Sequence, residues 1–193
     1  TSWGGEDMFT TGPAGFAGNN RHVYMLSSVD ANSVELRKLD TMTGKTETVA
    51  AEATADVSGM LQHPATYQLL AVAFQRAREE WKPLDKDVAR DFEVLDELTE
   101  GDFSVVSADT RNKTWLVGYS DDNQSPSYWV YDRKSKKGEL LFSARPDLDE
   151  YTLAEMKPVT YKARDGLEIH GYLTTPVGVD AVNLPTVVYP HGG

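Results

Sequence analysis

The chain has 193 residues, of which 40% are hydrophobic, and it carries a formal net charge of −11. This acidic balance argues against a nucleic-acid backbone or an anionic membrane as a partner, and no stretch approaches the roughly 18 consecutive apolar residues of a membrane span. The absence of cysteine excludes disulfides, thiolate zinc sites and cysteine nucleophiles within these residues. We therefore expect a soluble globular protein, either cytoplasmic or bacterial periplasmic, whose oligomeric state stays open.

Short runs that alternate apolar and polar residues dominate the first three-quarters of the chain and predict β-strands joined by turns. Val34, Leu36 and Leu39 show the pattern of a half-buried antiparallel strand. Gly44 favours the tight turn of the hairpin that follows. The predicted strands of this region are 22–28, 34–40, 45–49, 67–74, 114–122 and 127–132. The runs indicate a mainly β fold.

The strand pairs recur at a fixed spacing. Asp40 and Asp132 hold matching positions 92 residues apart, and Ser28 matches Ser120 at the same offset. Half of this offset, 46 residues, predicts an intermediate unit. Such a period lies between the roughly 40–45 residues of WD repeats and the roughly 50 of kelch repeats, both of which form four-stranded propeller blades. We predict a partial β-propeller of about three four-stranded blades, with further blades upstream; a β-sandwich is the alternative.

One segment departs from the strand pattern and predicts a helix over 85–98. Val88, Phe92 and Leu95 share one helical stripe. Asp85 suits the N-cap position of this helix. We expect the helix to lie at the propeller surface and to pack onto a blade edge, with partner binding as the alternative role.

The residue pattern changes after Pro146. A short polar link at 147–156 leads to two alternating runs, 157–163 and 167–174. The Asp165-Gly166 dipeptide between these runs is a strong signal for a β-hairpin. This part of the chain therefore predicts a link followed by a separate hairpin.

The chain finishes with a short apolar run, 184–190, followed by His191, Gly192 and Gly193. An apolar run that breaks into glycines predicts a buried parallel strand that enters a glycine loop. In α/β-hydrolases, an HGG-type loop at this point supplies a backbone N–H group to the oxyanion hole. Glycine suits that role because the main chain must approach the substrate closely.

The segments 159–176 and 184–193 together resemble the start of the hydrolase domain in the prolyl oligopeptidase family. The resemblance is greatest to the branch of acylaminoacyl-peptidases and dipeptidyl-aminopeptidase-like enzymes, in which a β-propeller precedes an α/β-hydrolase domain. It implies that residues 1–146 form the last propeller blades, 147–156 a linker, and 157–193 the first strands of the hydrolase domain.

The resemblance also implies a function. Members of the family are serine peptidases that cleave short peptides with a Ser-Asp-His triad and no cofactor, and this branch acts on aminoacyl- or acyl-aminoacyl-type substrates. Gly193 or Gly192 would donate the oxyanion N–H group. His191 stands where some members carry a tyrosine, which favours main-chain donors here. No G-x-S-x-G pattern occurs in the chain, so we expect the triad downstream and the chain itself to be inactive.

Two other classes of protein remain open. A non-catalytic β-propeller module would bind a partner without chemistry, and an esterase or lipase would carry a His-Gly-Gly-Gly loop. The residue after Gly193 discriminates them, since proline favours the peptidase, glycine favours the esterase, and a stop codon favours the binding module.

Further groups carry weaker signals for chemistry. Asp121, Asp122 and Asn123 lack the spacing of a calcium loop and predict a hairpin turn. Glu79 and Glu80 predict a solvated strand end, with binding of a substrate ammonium group as the alternative. The four histidines lie far apart without metal-ligand spacing, so no metal site is expected.

Overall fold

The alternating runs fold as three successive antiparallel sheets in the computed structural model, which describes residues 4, 5 and 7–190. The first sheet contains β1 (Gly12–Phe16), β2 (His22–Ser27), β3 (Glu35–Asp40) and β4 (Thr46–Ala50). The middle sheet contains β5 (Asp56–Gln62), β6 (Leu69–Gln75) and β7 (Glu79–Pro83). The last sheet contains β8 (Asp102–Ala108), β9 (Thr114–Ser120), β10 (Ser127–Asp132) and β11 (Lys137–Ser143).

Within each sheet the strands lie side by side in chain order, as in the blades of a propeller. The prediction of about three blades is therefore confirmed. The middle sheet has three strands where four were expected, because the chain after β7 forms the helix α1 (Lys86–Leu98) in place of a fourth strand. No helix among the described residues has the length and apolar character needed to span a membrane.

The recurring aspartates occupy equivalent places, at the ends of β3 and β10. Asp40 Oδ1 accepts hydrogen bonds from the backbone N–H groups of Met42 and Thr43, at 2.9 and 3.2 Å. Asp132 Oδ1 accepts one from the N–H of Ser135 at 2.7 Å, and this bond holds the pKa of Asp132 below its ordinary value. Each carboxylate closes the turn into the last strand of its sheet, which is why the repeat keeps an aspartate there.

The sheets stack face to face, with β6 at the centre of the stack. Its side chains are buried on both faces, because Ala71 packs in a cluster with α1 and the last sheet, whereas Val72 and Phe74 pack against the first sheet. Leu36 of β3 is fully buried on that side. Burial on both faces explains why β6 is a continuous apolar run.

The helix α1 begins at the predicted N-cap. Asp85 Oδ1 accepts hydrogen bonds from the N–H groups of Asp87 and Val88, at 2.9 and 3.1 Å. The side chain of Phe92 lies 5.0 Å from the ring of Phe103 in β8 and 5.8 Å from that of Trp81 in β7, measured between ring centroids. The helix therefore packs onto β7, the edge strand of the middle sheet, and onto β8 of the last sheet, with its other face exposed. The expectation that it lies at the surface and packs onto a blade edge is confirmed.

A buried aspartate on α1 joins the helix to the last sheet. The carboxylate of Asp91, fully buried, accepts a hydrogen bond from Tyr131 Oη at 2.9 Å and from Arg133 Nε at 2.8 Å, and it also contacts Lys136 Nζ. The Arg133 guanidinium lies 4.4 Å from the ring centroid of Trp115, which is itself fully buried. These contacts fix the position of the helix against β9 and β10.

A short 3₁₀ helix (Pro146–Glu150) follows the last sheet, and the hairpin of β12 (Met156–Lys162) and β13 (Glu168–Thr174) comes next. Asp165 and Gly166 form its turn as predicted. Gly166 has φ of 89°, a conformation that L side chains rarely adopt. Asp165 Oδ1 accepts a hydrogen bond from the Leu167 N–H at 3.1 Å.

Candidate functional site

The residues predicted to form the oxyanion loop, His191, Gly192 and Gly193, lie outside the described residues. The segment 184–190 that leads to them has no regular secondary structure. Val187 and Val188 are 89% and 85% exposed. A strand needs a neighbour for its backbone hydrogen bonds, and none of the strands described between residues 7 and 190 pairs with this segment. The interpretation of 184–190 as a buried strand is therefore wrong for the described structure.

The hairpin β12–β13 meets the blade stack at the hairpin's open end. Tyr172 Oη donates a hydrogen bond to the backbone oxygen of Ala77, in the turn between β6 and β7, at 2.5 Å. The backbone N–H of Met156 donates to the carboxylate of Asp122, in the loop between β9 and β10. Both contacts lie at one end of the stack, so this end positions the chain that leads to the predicted oxyanion loop.

The two loops that receive the hairpin are joined by an arginine. Arg78 Nε lies 2.8 Å from Asp102 Oδ1, and Arg78 Nη2 lies 3.5 Å from Asp121 Oδ1. The turn after β6 is thereby tied to the start of β8 and to the β9–β10 loop. Because this guanidinium is more than half exposed, we expect it to orient the loops more than to stabilise the fold.

Two adjacent carboxyl groups in the β9–β10 loop titrate differently. Burial raises the pKa of Asp121, and its hydrogen bond to the neighbouring carboxylate adds to this rise. The same hydrogen bond holds the pKa of Asp122 below its ordinary value. Of this pair, Asp122 is the more acidic group, which suits its role as acceptor for the N–H of Met156.

Replacing Tyr172 by phenylalanine is expected to loosen the hairpin. The change removes one hydrogen bond to the Ala77 carbonyl, which is worth about 1 kcal/mol, so the amides of β12 and β13 should exchange roughly fivefold faster where they exchange by local opening of this end. Hydrogen exchange followed by NMR or mass spectrometry measures this rate. Tyr161→Phe on the same hairpin, at a side chain 59% exposed, is the control; equal exchange in both variants would contradict the attachment.

The other candidate groups have local partners. Glu79 Oε2 accepts a hydrogen bond from Ser58 Oγ at 2.9 Å, and Glu80 pairs with Arg76 Nε at 3.0 Å. The arginine also contacts Glu52. These two glutamates therefore take part in contacts within the blades, as predicted for a strand end.

The described histidines lie in separate hairpins. His22 Nδ1 is 2.7 Å from Asn19 Nδ2, and His63 Nδ1 accepts a hydrogen bond from the N–H of Ala65 at 3.1 Å. His170 lies in β13. Across residues 4, 5 and 7–190, no group of three or more histidine, aspartate or glutamate side chains is arranged to hold a metal ion.

Three residues that shape this region were not singled out in the sequence. The sequence does contain a signal for Asp91, because this polar residue lies on the apolar face of the predicted helix, three residues after Val88 and four before Leu95. Arg78 and Tyr172 have none, because their partners are distant in sequence: Tyr172 and Ala77 are 95 residues apart.

No protein-family model matches the chain, but the chain is similar in sequence to curated peptidases. The chain is 36% identical over 195 residues to dipeptidyl aminopeptidase BIII of Pseudoxanthomonas mexicana, a match that covers 97% of the chain and 28% of that protein. It is 32% identical over 123 residues to dipeptidyl peptidase family member 6 of Caenorhabditis elegans, covering 63% of the chain and 17% of the relative. The chain thus spans less than a third of either relative.

Solved structures show the same fold. A prolyl oligopeptidase B from Galerina marginata superposes with a TM-score of 0.56 at 15% identity, over 83% of this chain and 23% of that one. A puromycin-hydrolyzing peptidase of Mycobacterium tuberculosis superposes with a TM-score of 0.53 at 14% identity, over 83% and 25%. The chain resembles the peptidases of the prolyl oligopeptidase family. The chain shares the fold of about a quarter of each of these solved proteins.

Proposed function

We propose that this chain is part of a serine peptidase that cleaves short peptides of the aminoacyl or acyl-aminoacyl type. The observation that carries the proposal is the 36% identity to a dipeptidyl aminopeptidase along 97% of the chain. Identity of this extent runs from the blades through the linker and the hairpin toward the His191-Gly192-Gly193 motif. The match covers only 28% of the relative, so we place the catalytic triad in a part of the whole protein outside these 193 residues.

The proposal divides the chain into three parts. Residues 1–146 are propeller blades, 147–156 a linker, and 157–193 the start of the hydrolase domain. The strand bounds support this division, since β11 ends at Ser143 and β12 begins at Met156. In the whole protein the blades would hold the hairpin in place and restrict access to the active site, so that short peptides reach the nucleophile.

The chemistry follows the logic of a Ser-Asp-His triad. A serine supplied by residues beyond this chain attacks the scissile carbonyl, a histidine takes its proton, and an aspartate orients the imidazole. Gly193 or the adjacent Gly192 supplies one backbone N–H group to the oxyanion that forms. His191 supports the loop and leaves the donor role to the main chain. No cofactor takes part in these steps.

Hydrolysis and active-site labelling test the proposal together. The full-length protein should cleave aminoacyl- or acyl-aminoacyl-p-nitroanilides and should react with a fluorophosphonate probe, which labels activated serines. The 193-residue chain alone should do neither, because it has no G-x-S-x-G serine. Labelling of the 193-residue chain, or activity of the full-length protein that survives the probe, would overturn the assignment of the nucleophile.

A further inference from the structure

The last sheet repeats the first sheet strand by strand. At the 92-residue offset between Asp40 and Asp132, each of the strands β1 to β4 falls within one of the strands β8 to β11. The pairing irregularities agree as well, because the register shifts after Leu36 in the first sheet and after the equivalent Tyr128 in the last. The two sheets are therefore equivalent units, and each face of one has a counterpart on the other.

The middle sheet covers one face of the first sheet. Leu36 of β3 is fully buried on this face, and Tyr24 of β2 is 9% exposed. Ala50 of β4 packs against the same cluster, to which β6 contributes Val72 and Phe74. This face of the repeated unit is therefore apolar because a neighbouring sheet lies on it.

The equivalent face of the last sheet is open to solvent. Tyr128 stands there at the position of Leu36, and its ring centroid lies 4.9 Å from that of Phe142. Phe142 is 50% exposed, and Val106 of β8 is 52% exposed. Val106 and Tyr128 both lie around Gly118, at which a β-carbon would come within 3.2 Å of the valine and 3.5 Å of the tyrosine. Aromatic and aliphatic side chains are therefore in contact with water on this face.

The open face is also less charged than its covered counterpart. Lys38 in the first sheet donates a hydrogen bond from Nζ to Glu47 Oε1 at 3.1 Å. At the equivalent place in the last sheet, Val130 lies opposite Glu139, and the valine is 37% exposed. The open face thus carries an apolar side chain where the covered sheet carries a lysine. A contiguous apolar surface of this kind marks a binding surface.

We propose that this open face, made up of Val106, Tyr128, Val130 and Phe142, binds a further antiparallel sheet of the same protein. The first sheet turns the equivalent face toward the sheet that follows it in the chain. After β11, however, the described chain continues into the 3₁₀ helix and the hairpin β12–β13, which meets the stack at one end. The covering sheet is therefore contributed by residues on the N-terminal side of this chain, and its contact closes the row of sheets into a ring.

The contact between the first and middle sheets indicates what the covering sheet presents. β6 packs the aliphatic Val72 and the aromatic Phe74 against the first sheet, so we expect apolar side chains at alternate positions of the covering strands. A protein of the length of the dipeptidyl aminopeptidase relative has residues to form such a sheet, since the match takes up 28% of it. The contact involves no catalytic group and does not depend on the proposed peptidase chemistry.

Photo-crosslinking of the full-length protein tests this contact. Benzoylphenylalanine placed at Phe142 keeps an aromatic ring and reacts on irradiation with C–H groups that touch it. Mass spectrometry of the digested protein locates the crosslinked residue. We expect a crosslink within one molecule, to a segment N-terminal to Thr1 that alternates apolar and polar residues. The same group placed at Met42, which is 80% exposed in the turn between β3 and β4, is the matched control and should form no such crosslink.

Three crosslinking results would overturn the proposal. They are a crosslink between two copies of the protein, a crosslink to Thr1 or any later residue, and no crosslink beyond that of the Met42 control. Hydroxyl-radical footprinting of the unchanged full-length protein adds a measurement that needs no substitution. Phe142 should lose its oxidation, whereas Tyr67, 49% exposed in the loop before β6, should keep it. Equal oxidation of the two rings, corrected for their intrinsic reactivities, would also contradict the contact. Because contact alone is measured, failure of the hydrolysis test would leave this result unaffected.

Discussion

Replacing Asp91 by alanine is expected to lower the free energy of unfolding by about 3–5 kcal/mol. Its carboxylate is fully buried and receives hydrogen bonds from Tyr131 at 2.9 Å and from Arg133 at 2.8 Å. Alanine would leave the Tyr131 hydroxyl without its acceptor and would leave the Arg133 guanidinium, only 16% exposed, with the Asn112 carbonyl but no carboxylate to balance its charge. Urea denaturation followed by tryptophan fluorescence measures the loss.

Two further substitutions make this expectation specific. Glu93→Ala removes an exposed carboxylate from the same helix and should change the free energy of unfolding by less than about 0.5 kcal/mol. Asp91→Asn keeps an acceptor of the same size and loses the charge, so it should fall between the two. If Asp91→Ala were as stable as Glu93→Ala, the contact between the helix and the last sheet would not depend on this carboxylate.

Replacing Gly193 by proline in the full-length protein is expected to lower kcat by about 10²–10³-fold. Proline has no backbone N–H group, so the change removes the proposed oxyanion donor. The donor acts on the charge that develops in the transition state, and for this reason KM for an acyl-aminoacyl-p-nitroanilide should change much less. Steady-state kinetics with the p-nitroanilide separate the two parameters.

The matched variant Gly193→Ala keeps the N–H group and tests the loop's need for glycine. It should retain more activity than Gly193→Pro, and the difference between the two isolates the donor. Labelling by a fluorophosphonate in both variants checks that the nucleophile is in place. If Gly193→Pro had the same kcat as the unchanged protein, Gly193 would not be a donor of the oxyanion hole.

The repeated strand pattern could be predicted because it depends on neighbours in the sequence. Alternation at Val34 and Leu36 and the turn after Asp40 indicated β3 and its hairpin, and the structure confirms them. Asp165-Gly166 likewise indicated the hairpin β12–β13, since a turn of this kind is determined by its own residues. Both signals are local, and local signals survive when the rest of the fold is unknown.

The position of the helix could not be predicted in the same way. The stripe of Val88, Phe92 and Leu95 showed that one face must be buried, and Asp85 showed where the helix begins. The stripe alone did not show which strands cover that face, because an amphipathic stripe fits any apolar blade edge. The aromatic rings of Trp81 and Phe103 on either side of Phe92 decide that question.

The sequence by itself determined the helix, the hairpin β12–β13, the resemblance to one peptidase family and six strands of the blades, namely β2, β3, β4, β6, β9 and β10, because these rest on residue periodicity and short motifs. Only the tertiary structure decided which distant groups meet. Asp91 and Arg133 are 42 residues apart, and Tyr172 and Ala77 are 95 residues apart. Such pairs depend on how whole sheets stack, and a stacked arrangement leaves no periodic trace in the chain.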